Sequence, residues 1–144
     1  MRDIRKIFLP FSGIYPLKTL INKTGKSLIF PFYHSVSDSP SPHLKHLYRI
    51  KSKNEFIKDI DLLLKNFEAV SPEILLDREG PAQLTKPSFI LSFDDGLREV
   101  KETILPILKQ KGVPAIFFLN NNFIGNKALF YRYKISLLLD FFIK

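Results

Sequence analysis

The sequence contains no cysteine and no tryptophan. Without cysteine there are no disulfides and no thiolate metal sites, so any bound metal must rest on His, Asp or Glu. The missing cysteines do not decide the compartment. Histidine is scarce as well: His34, His43 and His46 are the three in the chain, and none follows them. Net charge is +8, yet no run of five or more basic residues occurs. The 22 Lys and Arg are dispersed, which reads as a solvated, steering surface rather than a nucleic-acid interface. No apolar stretch approaches the ~20 residues that a membrane-spanning helix needs. The basic opening Met1 to Lys6 and the uncharged run Ile7 to Leu17 resemble the start of a signal peptide. However, Pro10, Gly13 and Pro16 interrupt the run, and no small-residue cleavage site follows. Residues 1–26 are therefore expected to form an N-terminal extension packing on the domain, with a cytoplasmic or membrane-peripheral location. The alternative is contact of residues 1–20 with an anionic membrane surface.

What is present suits one ordinary domain: 144 residues, of which 45% are hydrophobic, with 14 Phe and 5 Tyr for an aromatic-rich interior. Ser27 to His34 has strand length, and Pro31 within it implies a sheet edge or a bulge. Ser35 to Pro42 is loop. Ser52 and Glu55 have capping-box spacing ahead of Phe56, Ile57, Ile60, Leu63, Leu64 and Phe67, so a helix is expected over about residues 53 to 66. Glu68 to Val70 reads as a very short strand. Ser71-Pro72-Glu73 opens a brief helix that Gly80-Pro81 ends. Ser88 to Phe93 is the next strand, and Leu97 to Lys111 a helix that Pro106 should kink and Gly112 should end. Pro114 to Leu119 is a continuous apolar run, expected to be a strand buried on both faces. After a loop over Asn120 to Asn126, Lys127 to Ile143 looks helical. This alternation predicts an α/β fold with parallel strands.

One stretch stands apart. FILSFDDG (residues 89 to 96) runs an apolar strand straight into Asp94, Asp95 and Gly96. Active sites of α/β folds lie where strands end and the next loop begins. Side chains of an extended segment alternate, so adjacent carboxylates suit two jobs: one holds a metal, the other faces a water or substrate beside it. A bound divalent cation would offset their mutual repulsion and activate a water. The plainer alternative is a cap for the next helix.

SFDDG, then the helix with ILPILKQKG, then VPAIFFL resembles the polysaccharide deacetylases, the NodB-homology or carbohydrate esterase family four. YHSVSD (Tyr33 to Asp38) is similar to the opening of many members, so the resemblance covers roughly residues 28 to 125. HLKHLY (43 to 48) and NKALFYRYKISLLL are similar to one bacterial branch. The resemblance implies a distorted (β/α) barrel over residues 27–144, incomplete at the C-terminus. It also implies metal-assisted removal of acetyl groups from acetylated polysaccharides or oligosaccharides. By it, Asp94 is the catalytic base and Asp95 a ligand of a divalent metal, usually zinc. His34 ends the first strand and would face the barrel mouth, as a substrate contact or auxiliary ligand, or else bond a neighbouring loop.

Two departures are mild: Ser92 stands where the family has Thr, and Ile116 replaces the Thr of its PATFF block. The larger one is that the two His ligands expected downstream of FDDG are absent. His43 and His46 precede the motif, and they read as loop or helix surface rather than as a substitute pair. The sequence thus resembles the N-terminal part of a deacetylase, truncated and weak or inactive alone. The alternative is a non-catalytic remnant that binds carbohydrate or a partner. A C-terminal helix apolar on every side is expected in a core or an interface, and so gives a possible oligomer contact.

Overall fold

The computed structural model describes residues 17–25 and 27–143. Expectations for residues 1–16, including most of the membrane-contact segment, lie outside them. In chain order the elements are α1 (Leu17–Thr24), β1 (Leu28–Ile29), β2 (Phe32–Tyr33), α2 (Lys53–Asn66), β3 (Glu68–Ala69), β4 (Ser88–Phe89), β5 (Leu91–Phe93), α3 (Leu105–Lys111), β6 (Ala115–Phe117) and α4 (Tyr131–Phe142). Single 3₁₀ turns cover Pro72–Leu75, where a brief helix was expected, and Gly80–Gln83.

Every strand pairing is parallel. β4 and β5 are successive parts of one central strand, and β1 and β2 are parts of its neighbour. Leu28 pairs with Ser88 and Phe32 with Ser92, four residues on in each strand, so the register runs through the gap. Pro31 accounts for the gap. Its carbonyl accepts from the Ser92 N–H at 3.1 Å, and by the alternation of a parallel ladder its own nitrogen would have donated toward Ile90. Proline has no such proton. β1 and β2 form an edge among the described residues, as Pro31 implied. The other side of the central strand is shared: β3 pairs with β4, and β6 with β5.

Alternation on the central strand sends Phe89, Leu91 and Phe93 to one face. There they pack with Phe56 and Ile60 of α2 and with Ile104, Ile107 and Leu108 of the α3 region. Each such buried side chain contributes about 1.5–3 kcal/mol over exposure. α2 begins where its capping box predicts. Ser52 Oγ accepts the Glu55 N–H at 3.2 Å, and Glu55 Oε2 accepts the Ser52 N–H at 2.8 Å. Asp38 takes a further free donor, the Lys53 N–H, at 2.9 Å.

The kink at Pro106 takes a specific form. Val100–Ile104 is a π turn, in which the Leu105 N–H bonds to the Val100 carbonyl. A π turn absorbs the break in the ladder that a proline causes. Gly112 ends α3 at φ +65°, as expected.

Two expectations need correcting. β6 is only half-buried, and Phe118 and Leu119 after it are exposed. The reason is that β6 has a single strand neighbour, β5, among the described residues. α4 is not apolar on every side: Tyr133, Ser136 and Asp140 are its buried residues, while its Leu and Phe side chains are exposed among the described residues. The helix is seated by its polar stripe.

Candidate active site at the FDDG turn

The central strand stops at Phe93. The Asp94 N–H still reaches the Tyr33 carbonyl at 3.0 Å, so its backbone completes the ladder. Asp95 then turns to φ +70° and Gly96 to φ +62°. Asp tolerates the left-handed region better than most residues, and Gly adopts it freely. A second constraint also demands glycine at 96: a Cβ there would lie 2.4 Å from Leu119 Cδ2.

This turn corrects the simple picture of alternating carboxylates. Asp95 is not extended, so the strand rule does not apply to it, and Asp94 and Asp95 line the same cavity. That cavity has a volume of about 1300 Å³ and also takes in His34, Tyr48, Asn120 and Tyr133. Neither carboxylate caps the helix that follows, among the described residues. His34 Nε2 lies 3.9 Å from Asp94 Oδ2, both side chains about one-third exposed at 32% and 37%. The three site residues named from the sequence, Asp94, Asp95 and His34, thus converge.

His43 and His46 do not join them in a metal pair. The His43 ring packs edge-on against Tyr133 at 5.4 Å, and His46 Nε2 lies 3.2 Å from Asp140 Oδ1. Among the described residues no group of three or more His, Asp or Glu side chains is placed to hold a metal ion. The donor set present therefore does not fit a zinc site, which needs three or four protein ligands.

Two tyrosines at the site escaped the sequence reading. The Tyr133 hydroxyl donates to Asp95 Oδ2 at 2.8 Å. Burial pushes its phenol well above the ordinary range, and the hydrogen bond to Asp95 and that carboxylate's charge push it further. The Tyr48 hydroxyl is buried, with no hydrogen-bond partner among the described residues. Burial first, then the charges of Asp95 and Glu99, push its phenol up to about 12. A signal for Tyr133 was present. Tyr133, Ser136 and Asp140 are spaced three and four apart, so they form one polar stripe along the helix.

The parallel α/β sheet with an FDDG turn opening into a cavity at its strand ends resembles the polysaccharide deacetylases. Residues 82–134 match the model of that family, described as polysaccharide deacetylase. The match takes in the FDDG, ILPILKQKG and PAIFFL blocks and bears out the likeness read from them. Among solved structures, the chain is similar to IcaB from Ammonifex degensii at 27% identity and a TM-score of 0.60, over 72% of this chain and 42% of that one. It is similar to a de-N-acetylase from Aggregatibacter actinomycetemcomitans at 31% identity and a TM-score of 0.51, over 62% and 36%. The Streptococcus pyogenes deacetylase PplD, solved in complex with acetate, matches at 19% identity and a TM-score of 0.57, over 76% and 51%, and shows the fold alone. The chain thus spans from 36% to 51% of the length of these three. No curated protein matches it.

Proposed function

We propose that residues 27–144 form the FDDG-bearing part of a polysaccharide deacetylase-type hydrolase, built as a partial (β/α) barrel. Its substrate class is acetylated sugar polymers or oligomers. The observation that carries this is the convergence of Asp94, Asp95 and His34 on one cavity at the ends of parallel strands. The family match around them supports it.

In this reading Asp94 is the base. Hydrolysis of an acetamido group adds water across the carbon–nitrogen bond. The water gives a proton to Asp94 as its oxygen bonds to the acetyl carbon. The nitrogen takes up a proton as it leaves, giving acetate and a free amine. His34, beside Asp94, contacts the sugar. Asp95 supplies one carboxylate donor for a divalent metal, zinc by the family resemblance. The other donors are not among the described residues, so the chain alone is weak or inactive. The exposed apolar side of α4 supports an oligomer or partner contact there.

The test is acetate release from N-acetylglucosamine oligomers, with the full chain alone and mixed with a separately made, His-bearing deacetylase half. Release is expected from the zinc-loaded mixture. Asp94→Asn should lower it by about 10²-fold or more, the scale of a lost general base. Undiminished release with Asp94→Asn, or none from a mixture shown to hold zinc, would overturn the proposal.

A further inference from the structure

The hydrogen bond between Tyr133 and Asp95 joins residues far apart in sequence. Tyr133 is 8% exposed, and its ring is held edge-on between His43 and Phe130, each at 5.4 Å. The helix carrying it is seated by polar contacts to the segment before α2. The Ser136 hydroxyl donates to the Pro42 carbonyl at 2.7 Å and accepts the His46 N–H at 3.3 Å. Asp140, one turn further on, meets His46 and Lys45. A phenol fixed at this level of packing has little freedom, so it dictates where the carboxylate it holds can point.

Asp95 needs such a guide. It sits at φ +70° in a turn, where its backbone is set but its side-chain torsions are not. Tyr133 engages Oδ2, and Oδ1 has no hydrogen bond among the described residues.

We infer that Tyr133 is the positioning residue for Asp95. Its hydroxyl fixes Oδ2, turns Oδ1 toward the cavity, and couples that orientation to the seating of α4. Groups that hold a functional carboxylate in place matter nearly as much as the carboxylate itself. The inference deepens the deacetylase reading and takes its substrate class from it.

Two readouts on the full chain test it: the carboxyl carbon resonance of Asp95 at neutral pH, and the affinity for N-acetylglucosamine oligomers. Tyr133→Phe removes one oxygen and keeps the ring contacts. Ser136→Ala loosens the same helix without touching the carboxylate. The Asp95 resonance should move in Tyr133→Phe and stay in Ser136→Ala. Oligomer binding, through the cavity wall that Asp95 forms, should weaken in Tyr133→Phe and less in Ser136→Ala. An Asp95 resonance unmoved by Tyr133→Phe overturns the inference. Equal loss of binding in both variants also overturns it, because that marks a merely structural role. If the unaltered chain binds no oligomer, the deacetylase reading fails on that count, and the resonance still decides the role of Tyr133.

Discussion

Gly96→Ala tests the turn that makes the site. Two costs are expected. Holding an L-residue at φ +62° costs about 1–2 kcal/mol, of which about 0.4–1 kcal/mol is offset because alanine restricts the unfolded chain. The new Cβ would also lie 2.4 Å from Leu119 Cδ2. Leu119 is 62% exposed, so its side chain can swing aside at about 0.5–1.5 kcal/mol if it leaves its rotamer well. The sum is about 1–2.5 kcal/mol. Gly112 is the internal control, with φ +65° and nothing within 4 Å of a Cβ. Gly112→Ala should therefore cost about 0.5–1 kcal/mol, from the backbone alone. Urea unfolding separates them. With a slope of about 2 kcal/mol/M, Gly96→Ala should lower the midpoint by about 0.5–1.25 M, and Gly112→Ala by about 0.25–0.5 M. If Gly112→Ala costs as much as Gly96→Ala, the close approach of Leu119 to the FDDG turn is not what demands glycine there.

Ser52→Ala removes one arm of the capping box and should destabilise the chain by about 1 kcal/mol in the same urea assay; an unchanged midpoint would refute the role given to the cap. Phe56→Ala empties a fully buried position and should cost about 3–5 kcal/mol; a loss below 1 kcal/mol, the size of an exposed substitution, would mean α2 is not packed as described. Alkaline pH should destabilise the fold. Burial, and then nearby carboxylates, raise Tyr33, Tyr48 and Tyr133 above the ordinary phenol value of 10.0. A phenol raised on folding stabilises fully below about pH 10, and that contribution fades as pH climbs toward the folded value, about 12 for Tyr48. The urea midpoint should fall over that window, less steeply in Tyr48→Phe; a flat profile would contradict the burial of these rings.

Much of the fold was legible because local chemistry and tertiary packing agree. The Ser52 and Glu55 pair fixes the start of α2, and the apolar spacing from Phe56 to Leu63 chooses its buried side. The apolar run ending at Asp94 marks the central strand, and Asp94, Asp95 and His34 were named in advance. What was missed depends on distant partners or on backbone detail. α1 was hidden because the stretch before it reads as an apolar extension. The half-exposure of β6 follows from its having one strand neighbour among the described residues, which no local pattern reveals. The left-handed turn at Asp95 is invisible to the strand alternation that predicted diverging carboxylates. Tyr133 reaches Asp95 only through the fold, and among so many apolar neighbours on α4 its polar stripe with Ser136 and Asp140 was easy to pass over.

The most direct test of the account is an NMR titration of the full chain with N-acetylglucosamine oligomers, following backbone amides. The account predicts shifts gathered at His34, Asp94, Asp95 and the cavity residues around them. Shifts confined to other surfaces, or none at saturating oligomer, would contradict it.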